Sequence, residues 1–261
     1  MTTQRRPFLI IGHRGAPNHA PENTIASFDK ALALGFRHIE LDAQLSSDGV
    51  AVVFHDDILD RTSNGRGPLA KQFLAELRRL DAGAWFSDAF KGQRIPTLEE
   101  VLSRYHGRAY LHLELKSAEP ELPGIAAGLL GKHNWPLEEK ESSRSWPAFG
   151  VTVSSFHKDQ LDRMRPLLPG MQMAWLVQSI TARVLDEGER SGFRFICPRA
   201  ASVTGDSVQE TLGRGFRVRA WGLRSVEDLD NLVTCDVEGT TCDWPDRARE
   251  HLRQSDVATF P

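Results

Sequence analysis

Along most of the chain, short apolar, β-branched runs alternate with longer stretches whose apolar residues recur at helical spacing. The strand-like runs are FLIIG (8–12), RHIELDAQL (37–45), VAVVFH (50–55), AYLHLEL (109–115), FGVTVSS (149–155), MQMAWLV (171–177), FRFIC (193–197), FRVRAW (216–221) and VEGTTC (237–242). Between them, NTIASFDKALALG carries Ile25, Phe28, Ala31 and Leu32 in a helical pattern and stops at Gly35. LEEVLSRYHG, DQLDRMRPLL, ITARVLDEGERSG and VEDLDNLV read the same way. Strand–helix alternation predicts a parallel sheet, and about eight such units predict closure, giving an α/β fold of the (β/α)8 TIM-barrel type.

Nine strand-like runs are one more than a barrel needs. The turn SSDG at 46–49 accounts for the extra run as a short hairpin, which would set Glu40 roughly opposite His55. A length of 261 residues suits one barrel, so a single domain over 1–261 is expected, with an insertion at about 56–96 after the third strand. That segment, with SNGRGP and AWFSDAF, is too irregular for a plain connector and reads as a lid or substrate-binding subregion. EEKESSRSWP (138–147) reads as a surface loop.

Composition narrows the function classes. A hydrophobic fraction of 40% with 26% charged residues suits a globular chain with a sizeable core. A net charge of -3 supplies no basic footprint for nucleic acid and no polybasic membrane anchor. An anionic substrate would therefore have to be held by local charge. Cys197, Cys235 and Cys242 are too few and too scattered for a disulfide framework or a cysteine zinc site. The apolar run from Phe8 to Ile11 is too short for a signal-peptide core, and no stretch approaches the ~20 apolar residues of a membrane helix. The expectation is a reduced, soluble, cytoplasmic protein.

Charge on the strand-like runs is the strongest local signal. Glu40 and Asp42 are two apart in IELDA and share one strand face, with Ile39 and Leu41 on the other. In LHLELK, His112, Glu114 and Lys116 share a face opposite Leu111, Leu113 and Leu115. In a barrel the leucines pack under helices, so the charged residues point inward, where carboxylates are costly without a cation. Oxygen ligands from Glu40, Asp42 and Glu114 suit one hard divalent cation, Mg²⁺ or Ca²⁺. An interior ion-pair network neutralised by Lys116 and an arginine is the alternative, and these residues alone leave both open.

In GHRGAPNHAPENT (12–24), His13 and Arg14 end the first strand, at the barrel face where active sites form. Histidine exchanges protons near neutral pH, and arginine offers a fork matched to phosphate oxygens. Pro21, Glu22, Asn23 and Thr24 read as chemistry capping the first helix. His55 ends another strand in VVFHDD. Two strand-end histidines beside inward carboxylates and an arginine point to acid–base work.

HRG…PENT, then ELDAQLSSDGVAVVFHDDILDRTSNGRG, RIPTLEEVL, LELK and VSSF, and finally FRVRAW and VEGTTCDWP, closely resemble the glycerophosphodiester phosphodiesterases in motif and order, from about His13 to Pro245. The resemblance implies metal ligands at Glu40, Asp42 and Glu114 and an acid–base pair at His13 and His55. It implies phosphate binding by Arg14 and Lys116, with Phe156 and Trp221 shaping a glycerol pocket. The implied reaction is metal-dependent hydrolysis of a small-molecule glycerophosphodiester to sn-glycerol 3-phosphate and an alcohol, through a cyclic phosphate. The chain departs from the family where Trp221 is followed by Gly222, Leu223 and Arg224 instead of a Trp-Thr-Val-Asn pattern, which removes two polar donors near the pocket mouth. His112 replaces a smaller polar residue and reads as a partner buried deeper in the barrel, with metal ligation as the alternative. Arg219, on the face of Trp221, suits either a phosphate contact or an interior salt bridge.

Two rivals follow from the same residues. A lysophospholipase D or sphingomyelinase D-like lipid hydrolase is disfavoured by the lack of cysteine pairs and of an amphipathic membrane face. A non-catalytic phosphoester-binding barrel would have no need of the histidine pair. The head group, the oligomeric state and the division of labour between the histidines are not encoded in any motif.

Overall fold

Strands form where the β-branched runs fall: β1 (Leu9–Gly12), β2 (His38–Leu45), β3 (Ala51–Val53), β4 (Tyr110–Leu115), β5 (Gly150–Ser155), β6 (Met173–Val177), β7 (Phe195–Pro198), β8 (Arg217–Val218) and β9 (Gly239–Cys242). The computed structural model describes residues 7–137 and 146–260, so most of the surface loop expected at 138–147 lies outside the described residues. The strands are ordered β8-β7-β6-β5-β4-β2-β1-β9, all neighbours parallel. A bridge between Ala220 and Thr240 shuts the ring, with the Ala220 N–H donating to the Gly239 carbonyl at 2.8 Å. This is the expected (β/α)8 barrel.

The ninth strand is the hairpin. β3 pairs antiparallel with β2 and stands off the ring. Its register differs by one residue from the sequence expectation. Ser46 pairs with Val50 through an N–H···O bond of 3.0 Å, so the loop is Ser47, Asp48 and Gly49, with Gly49 at φ 76°. Glycine enters that left-handed region without steric cost, which lets three residues close the turn. Leu45 then faces Ala51, Phe54 donates to the Asp42 carbonyl at 3.0 Å, and His55 falls level with Leu41 instead of Glu40.

The helices are α1 (Ile25–Ala33), α2 (Leu74–Leu77), α3 (Leu98–Tyr105), α4 (Leu122–Lys132), α5 (Lys158–Met164), α6 (Ala182–Ser191), α7 (Gly205–Gly213), α8 (Val226–Thr234) and α9 (Pro245–Gln254). The sequence pattern misses α4, interrupted by Pro123 and three glycines, and α7 and α9. The last of these buries only Pro245, Ala248 and Leu252. Outward-facing Ile39, Leu41, Leu111, Leu113 and Leu115 pack under Phe28, Val101, Leu102 and Leu130 of the helices. Inward-facing Glu40, Asp42, His112 and Glu114 are buried as well. Residues 56–96 carry 3-10 turns and α2 over a small core of Phe54, Leu59, Leu69, Leu77, Ala82 and Ile95. No helix among the described residues is long and apolar enough to cross a membrane.

Candidate active site

The site lies at the carboxyl ends of the barrel strands, where β1, β2, β4, β5 and β8 run out into their loops. A cavity of about 300 Å³ is lined there by His13, Arg14, Glu40, His55, Glu114, Lys116, Phe156 and Trp221, eight of the nine residues singled out from the sequence. Asp42, the ninth, joins Glu40 and Glu114 in a buried cluster whose ligand atoms lie within 4.8 Å of one another.

The cluster is only partly neutralised. Asp42 receives the Asn23 amide at 2.7 Å, with Arg14 Nε at 3.5 Å and Lys116 Nζ at 3.9 Å. Burial alone would raise its carboxyl, yet Arg14, His55 and Lys116 hold it below the ordinary range. Glu40 has less help. Burial, then Asp42 and Glu114, push its carboxyl well up, although its Oε2 accepts the Arg14 backbone N–H at 2.9 Å. Burial and Asp42 likewise push Glu114 up to about 7, despite Lys116 at 3.1 Å. Glu40 Oε1 and Asp42 Oδ1 are buried without any hydrogen-bond partner.

The turn after β1 aims these groups. Arg14 holds φ 51°, a conformation costly for a side-chain-bearing residue, and it turns the Arg14 amide onto Glu40. Gly15 follows at φ 97°, where an added Cβ would lie 2.3 Å from Ser27 Oγ. Thr24 caps α1 as expected, accepting from the Ser27 N–H. Glu22 does not cap. It accepts from Arg14 at 2.7 Å and from both terminal nitrogens of Arg61 at 2.8 Å, because two guanidiniums near a half-enclosed carboxylate outweigh a helix dipole.

Each histidine is oriented by a carboxylate. His13 Nδ1 lies 2.6 Å from Asp243 Oδ1, and His55 Nδ1 lies 2.6 Å from Asp56 Oδ1. A carboxylate can only accept, so Nδ1 carries the proton in both rings and Nε2 is left to face the cavity. His13 Nε2 is 3.9 Å from Glu40. Asp56 is itself clamped by Arg61 at 2.5 and 2.9 Å. Burial opposes ionisation there, but Arg61 and His55 draw the Asp56 carboxyl down to about 2. On the other wall, the Trp221 indole N–H donates to the Val177 carbonyl at 3.0 Å. That bond sets the ring edge-on to Phe156 with centroids 4.9 Å apart.

His112 sits deeper, as expected, but bonds to none of the three carboxylates among the described residues. Its partners are His38, at 3.0 Å, and Arg219. Burial and the neighbouring Arg219 keep its pKa far below the imidazole norm, and burial takes His38 to about 3.

Residues 13–247 match the glycerophosphoryl diester phosphodiesterase family. The chain belongs to that family of phosphoric diester hydrolases. Its curated relatives include glycerophosphodiester phosphodiesterases from Caldanaerobacter subterraneus subsp. tengcongensis, 32% identical across 91% of this chain and 95% of the relative, and from Bacillus subtilis, 30% identical across 91% and 84%. An Oleispira antarctica phosphodiesterase in complex with the product sn-glycerol-3-phosphate superposes with a TM-score of 0.84. It is 30% identical, covering 95% of this chain and 97% of the other.

Within this glycerophosphodiester phosphodiesterase barrel, sequence reasoning missed Asp56, Arg61 and Asp243 and misjudged Glu22 and Asn23. Asp243 was findable, since it follows β9 at the same barrel face as His13. Asp56 directly follows His55, but only the fold shows that the two side chains meet. Asp56→Asn would present an amide hydrogen to Nδ1 and unseat the tautomer. It is expected to lower kcat by about 10²-fold with little change in KM, measured by steady-state kinetics. An unchanged kcat would leave Asp56 a plain anchor for Arg61.

Proposed function

We propose that this chain hydrolyses glycerophosphodiesters to sn-glycerol 3-phosphate and an alcohol, with one divalent cation, Mg²⁺ or Ca²⁺, held by Glu40, Asp42 and Glu114. The observation that carries this reading is the pair of unpartnered buried oxygens, Glu40 Oε1 and Asp42 Oδ1, in a carboxylate cluster flanked by two oriented imidazoles. Such oxygens are costly unless a cation takes them, and an all-oxygen donor set fits a hard ion. The interior ion-pair alternative is weakened because Lys116 and Arg14 leave both oxygens unsatisfied. When bound, the cation would offset phosphate charge and make phosphorus more electrophilic.

The chain's own residues would do the rest. Arg14 and Lys116 bind the phosphate oxygens, and Phe156 and Trp221 hold the glycerol. One histidine takes the proton of the glycerol C2 hydroxyl as its oxygen bonds to phosphorus. The P–O bond to the alcohol breaks, and the other histidine gives that oxygen its proton. The resulting cyclic 1,2-phosphate is opened by water with the two roles reversed. Residues 56–96, whose Arg61 ties into the site, act as a substrate-binding flap within a single domain. The three cysteines are free and buried, which supports a reducing, cytoplasmic setting.

Release of glycerol 3-phosphate from a panel of glycerophosphodiesters, after chelation and metal add-back, tests the assignment. Glu114→Gln is expected to weaken Mg²⁺ or Ca²⁺ binding by at least about tenfold in calorimetry and to lower activity in parallel. Full activity of Glu114→Gln in the presence of chelator would remove the metal from the scheme.

A further inference from the structure

The inward face that ends in Trp221 carries Arg217 and Arg219 beneath it, at the two-residue spacing of a strand, so Arg219 sits about 7 Å deeper than Trp221. Arg219 is 4% exposed. Its guanidinium lies 4.2 Å from the centre of the Phe195 ring and crosses the barrel to β4, where a terminal nitrogen donates to His112 Nδ1. The direction of the whole chain of bonds follows. His112 must donate through Nε2 to His38 Nδ1, and His38 Nε2 donates to the Pro147 carbonyl at 2.9 Å. Two neutral rings therefore anchor a permanent cation without offsetting its charge.

Nothing else offsets it either. Arg219 Nε is buried with no partner, and among the described residues no carboxylate pairs with this guanidinium. Arg217, one layer down, is paired with Glu238 at 2.7 Å. Thus the barrel neutralises the deeper arginine and leaves the upper one uncompensated, which is costly unless an anion arrives. Room for one exists. Ala174 and Ser154 are register partners on β6 and β5, at positions that barrels usually fill with bulky branched side chains. With Cys197 and Thr241 they line the same cavity as Arg219, Phe156 and Trp221.

We propose that Arg219 is the floor of a second oxyanion subsite, and that the preferred substrates are phosphodiesters whose glycerol-like part ends in an acidic group. The inference rests on the phosphodiesterase reading above and goes beyond it, since such a substrate would release a phosphorylated hydroxy acid in place of glycerol 3-phosphate. A three-carbon unit bound by its phosphate at Arg14 and Lys116 would send its far carbon down past Trp221, toward the Arg219 side chain that lines the same cavity. An oxyanion there meets a guanidinium edge in the geometry that favours charge-assisted bonds.

The test compares two product-like probes that differ only at that carbon, glycerol 3-phosphate and 3-phosphoglycerate, titrated calorimetrically into the Mg²⁺-supplied protein. The carboxylate is expected to tighten binding by about tenfold or more. Arg219→Met is expected to erase that preference. Arg219→Lys, which keeps the charge without the fork, is expected to retain part of it and carries the comparison if the methionine variant does not fold. Equal affinity for the two probes in the unmodified protein, or a preference that survives in Arg219→Met, overturns the subsite. Failure of both probes to bind overturns the phosphodiesterase reading and this inference with it.

Discussion

A glycerophosphodiester lacking the hydroxyl beside its phosphoester oxygen, as a 2-deoxy or 2-O-methyl analogue, is expected to bind but to turn over about 10³-fold more slowly, or worse, than the parent. The reason is tethering. The C2 oxygen is already held next to phosphorus, and intramolecular attack of this kind avoids the entropy of recruiting a separate reactant, an advantage that reaches effective molarities of about 10⁵ M and beyond. Phe156 and Trp221, set edge to face with the Trp221 indole bonded to the Val177 carbonyl, form a wall against which a glycerol unit would keep that geometry. Direct attack by water needs no such hydroxyl and gives similar rates for the two substrates. The measurement is turnover of the matched pair, with phosphorus NMR to detect the cyclic species. Equal rates and no cyclic phosphate, even in slowed histidine variants, would sink the two-step route and leave the hydrolase assignment standing.

His13→Ala and His55→Ala are each expected to lower turnover by about 10²–10⁴-fold with the fold intact, as for a lost proton-transfer group. Their pH dependence separates them. A base must be neutral, so activity falls as pH drops through its pKa. An acid must be protonated, so activity falls as pH rises through its own. Burial holds His55 below the ordinary imidazole value, with Asp42 pulling the other way. That lowering favours the neutral ring, the form able to accept a proton. His55 is expected to take the C2 hydroxyl proton and to set the acidic limb of a bell-shaped profile, which should vanish in His55→Ala. Persistence of that limb would move the base role to His13, and near-normal turnover in either variant would make that histidine structural.

The departure after Trp221 also has a physical reading. Gly222 holds φ 70°, a conformation that suits glycine and strains the threonine of the family pattern. The Leu223 side chain is buried among Val203, Val208 and Leu229, and the Arg224 backbone N–H donates to Asp228 at the start of α8. The pocket rim at this point is therefore backbone and glycine. The polar donors that the family pattern places there are not replaced in kind, and the uncompensated cation of this chain lies below the rim, at Arg219.

Much of this protein was determined by its sequence alone, because the relevant information is local. Period-two alternation fixes which residues of a strand share a face, so Glu40, Asp42 and Glu114 could be grouped as inward before any contact was known. Strand-end position likewise singled out His13 and His55, and the family motifs extended the set to residues that the fold does bring to one cavity. What the tertiary structure decided depends on loop closure and on reach across the barrel, neither of which a one-dimensional pattern carries. One residue fewer in the 47–49 loop moved His55 off Glu40 and level with Leu41. Closure of β9 beside β1 brought Asp243 to His13 from the far end of the chain. Glu22 reads as a helix cap until Arg61, 39 residues on, folds back over it. Arg219 could be placed on an inward face from sequence, yet whether it met a carboxylate or stood alone was a question of what lies across the barrel. There it finds two neutral histidines and an aromatic ring.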